Sequence, residues 1–105
     1  MKIMASNKKA YHEYNILDTY EAGLILTGTE IKSIRASKAN INDAYVSIKN
    51  NEAFIIGMHI SKYDMGNIFN HKETRDRKLL LHKKEILKLS QKMQLKGLTI
   101  IPLKL

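Results

Sequence analysis

Alternating apolar and polar residues in the middle of the chain predict a β-hairpin. Ala44, Val46 and Ile48 are separated by residues that are polar or aromatic, and an apolar run follows after a short gap. Asn50 and Asn51 fill that gap, and asparagine tolerates the left-handed backbone that a two-residue turn requires. We therefore expect two antiparallel strands joined by the asparagine pair.

A capping motif predicts a short helix over residues 29–36. Thr27 and Glu30 have the Thr-x-x-Glu spacing in which each side chain bonds to the backbone N–H of the other residue. Ile31 and Ile34 follow at a spacing of three residues, so they share one face. The pattern indicates a short helix with one apolar side.

A longer helix is predicted over residues 82–96. Ile86, Leu89 and Met93 recur at helical spacing, and lysines occupy many of the positions between them. Gly97 follows directly, and glycine commonly ends a helix because it adopts the left-handed conformation at little cost.

The remaining segments predict strands, a turn and one long loop. Residues 11–20 are rich in aromatic and β-branched side chains and are expected to form a strand. Residues 21–23 then supply a turn or bulge, in which Gly23 is able to take a positive φ. Residues 61–76 read as a polar loop, and residues 98–105 as a final strand. We therefore predict a mainly β fold, an OB-type small antiparallel barrel with flanking short helices.

The composition is typical of one intracellular domain over residues 1–105. Within this domain we expect residues 1–10 to form a flexible N-terminal segment. The chain has 105 residues, of which 44% are hydrophobic, enough for one small core. It contains no run of about 18 apolar residues and no secretory signal, so no membrane association is expected. The absence of cysteine excludes disulfides, Cys-ligated zinc and thiol catalysis.

Basic charge is concentrated in the second half of the chain. Residues 1–52 hold 7 basic and 6 acidic side chains, whereas residues 53–105 hold 11 and 4. A segment with that excess attracts polyanions, such as nucleic acid or an anionic membrane surface, at long range. The alternative interpretation is a solvated lysine face that serves solubility.

No motif for catalysis or metal binding stands out in the sequence. The four histidines are separated by 47, 12 and 11 residues, which matches no metal-ligand spacing, and no glycine-rich phosphate loop is present. We therefore expect no metal site and no other cofactor, and nucleotide hydrolysis loses its main support. The alternative is a small nuclease or phosphodiesterase that uses His71, Glu73 and Asp76 on the long loop.

Several blocks of sequence resemble the SsrA-binding protein family, also called small protein B. The resemblance covers nearly the whole chain from Asn7 onward, with the blocks in order and at family-like spacing. The main blocks are YEAG (20–23), LTGTEIKSIR (26–35), KANINDAY (38–45), RDRKLLLHKKEI (75–86) and KGLTIIPL (96–103).

The resemblance implies a function in trans-translation. It implies an OB-type barrel that binds transfer-messenger RNA (tmRNA, or SsrA RNA) at the D-loop and elbow of its tRNA-like part. It further implies that the protein delivers this RNA to stalled ribosomes, at the small-subunit decoding region, in the cytoplasm. Members of this family are not enzymes, and the resemblance implies a monomer in the complex.

The resemblance also implies which residues contact RNA. The family's glutamate falls on Glu21, which would accept a hydrogen bond from a base or 2′-hydroxyl or hold a basic neighbour, and its RNA-contacting leucine falls on Leu80. The alternatives are that Glu21 bonds to nearby backbone N–H groups and that Leu80 belongs to the core. His12 is the candidate for contact with ribosomal RNA. The full predicted set is His12, Glu21, Lys32, Arg35, Lys38, Asn40, Asn42, Arg75, Arg77, Lys78, Leu80 and Lys83.

The sequence departs from the family pattern at its end. The family continues into further barrel strands and a basic tail, whereas this sequence ends at Leu105. The resemblance therefore implies a C-terminally truncated member or a core fragment. On that basis residues 98–105 are expected to have an unpaired apolar edge, and RNA binding is expected to persist without ribosome rescue. A generic OB-type RNA- or ribosome-binding module without SsrA specificity is the remaining alternative.

Overall fold

Helices and short strands alternate through the part of the chain that the structure describes. The computed structural model describes residues 3–13, 16, 18–63 and 70–105. Within these residues, no helix is long and apolar enough to cross a membrane. In chain order the elements are α1 (Lys8–Glu13), β1 (Gly23–Leu24), α2 (Gly28–Arg35), β2 (Ala39–Asn40), β3 (Tyr45–Lys49), β4 (Glu52–Ile56), β5 (His59–Ile60), β6 (Arg77–Leu80) and α3 (Lys83–Lys96).

The strands form two antiparallel sheets. The larger sheet has the order β1-β6-β4-β3, and the smaller one pairs β2 with β5. In the larger sheet Leu24 lies opposite Leu79, and Phe54 lies opposite Lys78. Strand β6 therefore lies between β1 and β4, although it follows β4 by more than twenty residues in the chain. The prediction of a mainly antiparallel β fold is confirmed.

The predicted hairpin is present as β3 and β4. Asn50 and Asn51 have φ values of 52° and 61°, the left-handed geometry of a two-residue hairpin turn. The register joins Val46 to Ile55, and both side chains are buried. Buried and more accessible positions alternate along β4, because one face of the hairpin covers the core.

Both predicted helices are also present: α2 lies one residue earlier than predicted, and α3 begins one residue later than predicted and ends at the predicted residue. Helix α2 begins after Thr27, and the capping box is formed in both directions: Thr27 N–H donates to Glu30 Oε1 at 2.9 Å, and Glu30 N–H donates to Thr27 Oγ1 at 3.4 Å. Helix α3 ends at Lys96, and Gly97 follows as its C-cap with a φ of 61°. Each helix is attached to a different part of the core, α2 through Ile34 and α3 through Ile86.

The strand predicted over residues 11–20 is wrong. The chain is helical at α1, and Asn7 caps this helix by accepting from Ala10 N–H at 3.1 Å. Residues 16 and 18–20 are in no helix or strand, and residues 14, 15 and 17 lie outside the described part of the chain. The aromatic and β-branched residues favoured a strand, but an asparagine cap before two lysines and an alanine stabilises a helical turn locally.

The final strand predicted over residues 98–105 is also wrong. Pro102 has no N–H to donate, and the segment makes hydrogen bonds to two different partners instead of one ladder. Val46 N–H donates to Ile100 O at 2.9 Å, whereas Leu105 N–H donates to Ala5 O at 2.9 Å. The segment therefore contacts β3 at one end and the beginning of the chain at the other.

Residues 4–7 are packed, although the sequence led us to expect a flexible segment over residues 1–10. Met4 and Ala5 pack against the core, and Asn7 is buried. Asn7 N–H donates to Leu103 O at 2.7 Å, and Asn7 Nδ2 donates to Pro102 O at 3.1 Å. One asparagine thus caps α1 and attaches it to the last residues of the chain.

A buried ion-pair network attaches α2 to β6. The side chains of Glu30 and Arg77 both have 0% exposure, and Arg77 Nε donates to Glu30 Oε2 at 2.6 Å. Arg75 Nη2 donates to the other carboxylate oxygen at 2.5 Å. Arg77 also donates to the carbonyl oxygens of Met58 and Glu73. Two arginines therefore neutralise a carboxylate that has no access to water.

The network lowers the pKa of Glu30 from 4.5 to about 2. Burial alone raises the pKa of this carboxyl group, but the hydrogen bonds from Arg75, from the backbone N–H of Thr27 and from Arg77 outweigh it. Glu30 is therefore ionised in the folded protein at any pH well above 2.

Glu30→Gln should lower the free energy of unfolding by about 3 kcal/mol or more, because Arg77 would stay buried without an opposite charge. Urea denaturation at pH 7 measures the loss. The matched control is Glu52→Gln, since Glu52 pairs with Lys78 in solvent-exposed positions and its loss should cost less than about 1 kcal/mol. Equal losses in the two variants would contradict the structural role of the network.

The difference in stability between the wild type and Glu30→Gln should depend on pH. The folded-state pKa lies below the unfolded value, so the folded protein binds fewer protons between pH 4.5 and 2. The stabilisation is therefore complete above about pH 4.5 and is lost as the pH falls towards 2. Urea denaturation of both proteins between pH 7 and pH 3 should show the difference shrinking in acid. A constant difference would contradict the lowered pKa.

Candidate nucleic-acid interface

The structure brings two of the predicted residues, Glu21 and Leu80, to one open groove. The groove lies between the segment before β1 and the junction of β6 with α3, and its volume is about 560 Å³. Lys83, a third predicted residue, is exposed in the first turn of α3 beside it. The lining residues are Glu21, Ala22, Gly23, Leu80, Leu81, His82 and Glu85.

Leu80 forms an exposed apolar surface in this groove. Its residue exposure is 54%, although it is a strand residue and is paired with Gly23 across the sheet. The alternative that Leu80 belongs to the core is therefore wrong. Leu79 and Leu81 are partly buried and pack against the core cluster around Val46.

The absence of a side chain at Gly23 lets Leu80 lie close to the backbone of β1. A Cβ atom at this position would lie 3.2 Å from Leu80 Cδ1 and 3.3 Å from Leu80 Cβ. Gly23 lies in β1 and is not among the glycines with positive φ, so the predicted turn geometry is wrong. The absence of a side chain, and not an unusual backbone conformation, makes glycine the suitable residue here.

Glu21 presents a carboxylate that has no partner among the described residues. The residue is exposed, and no described residue forms a hydrogen bond or ion pair with its side chain. The alternative that this carboxylate bonds to nearby backbone N–H groups is therefore not supported in the described part of the chain. Its oxygens remain able to accept hydrogen bonds from a ligand.

A lysine on α3 contacts the segment that leads to Glu21. Lys92 Nζ donates to Tyr20 Oη at 3.1 Å and lies 3.6 Å from Asp18 Oδ2. The hydrogen bond with Tyr20 and the charge interaction with it raise the pKa of Lys92, and Asp18 adds to the effect. Lys92 and Glu85 are two helical turns apart, so both face this segment. Sequence reasoning missed this contact, which joins residues distant in the chain.

Five predicted residues lie on α2 and the segment that follows it. Asn40 Oδ1 accepts from Asn42 N–H at 2.9 Å, which orders the turn after β2. Lys32 Nζ lies 5.4 Å from the centre of the Tyr63 ring, a cation–π contact. All five residues are exposed: Lys32, Arg35, Lys38, Asn40 and Asn42.

The two predicted arginines in and before β6 have unequal access to solvent, and the prediction for Arg77 has to be corrected. Arg77 is enclosed, and its three guanidinium nitrogens are occupied by Glu30 and by backbone carbonyl groups. It is therefore a structural residue and cannot reach a phosphate. The Arg75 side chain is 33% exposed, although Glu30 and Ile25 O hold one of its nitrogens.

The two other predicted residues are accessible in different parts of the structure. Lys78 lies in β6 and pairs with Glu52 at 3.1 Å in exposed positions. His12 is exposed on α1. Neither residue lines the groove.

Two of the residues considered for a nuclease, His71 and Glu73, are engaged in contacts within the protein. His71 is buried, and its ring nitrogens lie 2.9 Å from Thr29 Oγ1 and 2.8 Å from Ile60 O. Glu73 bonds to His59 at 2.9 Å. Both ring nitrogens of His71 thus serve the packing of α2 against β5. No group of three or more His, Asp or Glu side chains among the described residues has metal-binding geometry.

Comparisons with known proteins confirm the resemblance in sequence. A family model described as "SmpB protein" matches residues 4–105. The SsrA-binding protein of Ligilactobacillus salivarius is 61% identical over 101 residues, which are 96% of this chain and 65% of that protein. The SsrA-binding protein of Carboxydothermus hydrogenoformans is 55% identical over 104 residues, 99% of this chain and 70% of that protein. The chain thus spans about two thirds of the length of these relatives.

A solved structure confirms the predicted fold class. A chain from the structure described as "tmRNA-SmpB: a journey to the center of the bacterial ribosome" matches with a TM-score of 0.76 and 43% identity. The match covers 94% of this chain and 69% of that chain. The similarity supports a small OB-like β fold with flanking helices.

Gly23→Ala should displace Leu80, because the added methyl group would contact its side chain closely. We expect shifted NMR signals for the Leu80 methyl groups and a loss of about 1 kcal/mol in the free energy of unfolding. Gly28→Ala is the matched control, since no atom lies within 4 Å of its added Cβ; this variant should be neutral or more stable by up to about 1 kcal/mol. Unmoved Leu80 signals in Gly23→Ala would contradict the close packing.

Proposed function

The chain belongs to the SmpB protein family, and from this membership we propose that it binds SsrA RNA, the ligand named in the description of its relatives. The groove between Glu21 and Leu80 is the proposed contact with unstacked bases. The observation that carries the proposal is Leu80, an exposed apolar side chain held at the surface of a basic domain. An exposed leucine in such a place can pack on a base or a ribose.

The charge on α3 supports an RNA partner. This helix carries five lysines and one glutamate, and it begins at the groove. Lysines that are spread along one helix provide a positive potential that attracts a phosphate backbone without fixing the sequence that is bound. The helix would therefore bring RNA to the groove, and the groove would contact the bases.

The proposed phosphate contacts are the accessible cations of the predicted set. Lys83 is beside the groove, whereas Lys78 and Arg75 are partly exposed on and before β6. The proposed interface also includes His12 on α1 and the predicted residues on and after α2. Arg77 is left out because its guanidinium group is buried.

The wider role that we propose is delivery of this RNA to stalled ribosomes in the cytoplasm. In this role residues 1–105 act as one RNA-binding domain, and the protein is a monomer in the complex. The similar solved structure is described as tmRNA-SmpB at the centre of the bacterial ribosome. Binding to the small-subunit decoding region belongs to the same proposal. We propose binding without catalysis, since the candidate catalytic residue His71 serves the fold.

Substitutions should separate charge contacts from apolar contacts. Lys83→Ala should weaken RNA binding and reduce the slope of log K against log salt concentration by about one, because one phosphate contact is lost. Leu80→Ala should weaken binding and leave that slope unchanged. Fluorescence anisotropy with the tRNA-like part of SsrA RNA, at several salt concentrations, measures both effects. Lys96→Ala is the matched control, since it removes a lysine about 20 Å further along α3.

Two results would contradict the proposal. If unrelated tRNA displaces the labelled RNA as readily as unlabelled SsrA RNA does, the protein is a generic RNA-binding module. If the purified protein cleaves structured RNA in the presence of magnesium, it acts as a nuclease.

A further inference from the structure

The wall of the groove that carries Glu21 has no regular secondary structure. Residues 18–22 lie in no helix or strand, and β1 begins only at Gly23. At that end the segment is held because Gly23 and Leu24 pair with β6. An irregular segment at the surface is mobile unless other contacts hold it, so the end at residue 18 needs an attachment of its own.

The attachment at this end is Lys92 on α3. Lys92 Nζ donates to Tyr20 Oη at 3.1 Å and lies 3.6 Å from Asp18 Oδ2. Among the described residues, these are the side-chain hydrogen bond and the ion pair that join residues 18–22 to the rest of the protein. One ammonium group therefore holds the segment at two points.

Helix α3 is a firm support for this contact. Ile86 and Leu89 are buried, and Ile86 belongs to the core cluster around Val46. Leu79 of β6 packs against the same cluster, and β6 is the strand to which the other end of the segment is paired. Both ends of residues 18–22 are thus attached to one packed body. A segment held in this way loses little further freedom when a ligand binds.

The charge of Lys92 is used within the protein. The other lysines of α3 are exposed, whereas Lys92 is only partly exposed and lies beside the carboxylate of Asp18. A phosphate that approached Lys92 would have to compete with this carboxylate and with the hydroxyl group of Tyr20. Lys92 therefore differs in its role from the lysines that face solvent on the same helix.

We propose that Lys92 is a positioning residue for RNA binding, which holds residues 18–22 in place opposite Leu80 and does not itself contact the RNA. This inference rests on the proposed function, and it adds a residue that acts through the position of the groove wall. The sequence alone would assign Lys92 to the basic surface, as it would the other lysines of α3.

Lys92→Met tests the inference because it removes the ammonium group and keeps an unbranched side chain of similar length. The variant should bind the tRNA-like part of SsrA RNA about 3- to 10-fold more weakly, the effect of one or two surface contacts. The slope of log K against log salt concentration should stay unchanged, because no phosphate contact is lost. Fluorescence anisotropy at several salt concentrations measures both quantities.

Two further substitutions show whether Lys92 acts through Tyr20. Tyr20→Phe removes the hydroxyl group that accepts from Lys92, so it should also weaken binding, and the double variant should bind no more weakly than Lys92→Met alone. Lys92→Arg keeps a cation that can donate to both partners, and it should restore binding to within about twofold of the wild type. Losses that add in the double variant, or a failure of arginine to rescue binding, would contradict the inference.

Lys88→Met is the matched control. It removes the same charge one helical turn earlier on α3, from a lysine that has no partner among the described residues. The NMR signal of the Ala22 methyl group, which lines the groove, should shift in Lys92→Met and stay in place in Lys88→Met. Circular dichroism should show the same helix content in both variants, since neither lysine is buried.

Three results would overturn the inference and leave the proposed function intact. In the first, Lys92→Met lowers the salt slope by about one, which makes Lys92 a phosphate contact. In the second, the Ala22 signal does not move in this variant. In the third, the signal moves but binding stays within about twofold of the wild type. If unrelated tRNA displaces SsrA RNA from the wild-type protein equally well, the proposed function fails and the inference fails with it.

Discussion

The buried pair of Glu30 and Arg77 is the contact on which the arrangement of α2, β6 and the loop before β6 depends. Glu30 caps α2 through the backbone of Thr27 and also forms ion pairs with two arginines. Arg77 continues the network to the backbone of Met58 and Glu73. A charge enclosed in this way requires its partner, so the network excludes arrangements in which helix and strand separate. The network also positions one wall of the groove, because Leu80 lies on the same strand as Arg77.

The network also divides the basic residues into two classes. Arginine is suited to a buried network because its planar group donates in several directions at once, and here Arg77 uses all three of its nitrogens inside the protein. The lysines of α3 remain at the surface or partly exposed. A basic residue in the sequence is therefore not always a basic residue on the surface. The electrostatic field that reaches a ligand comes mainly from the lysines.

Local sequence patterns predicted the elements whose interactions are local. The Thr27–Glu30 box, the asparagine turn and the stop at Gly97 are formed by neighbours in the chain, and each is present. The second role of Glu30 could not be predicted, because its arginine partners lie 45 and 47 residues away. The strand predicted over residues 98–105 is wrong for the same reason. An apolar run indicates burial, but the whole fold decides which groups its backbone bonds to. At the candidate site, family resemblance indicated Glu21 and Leu80, whereas the contact of Tyr20 with Lys92 has no local signal.

During folding the groove can form only after β1 has paired with β6. Gly23 and Leu80 are far apart in the chain, and everything between them must emerge from the ribosome before they meet. The β3–β4 hairpin can form early because its partners are close, whereas closing β1 onto β6 carries the entropy of a long loop. A nascent chain that ends before residue 80 therefore lacks one wall of the groove, so it cannot bind a ligand there until synthesis has passed β6.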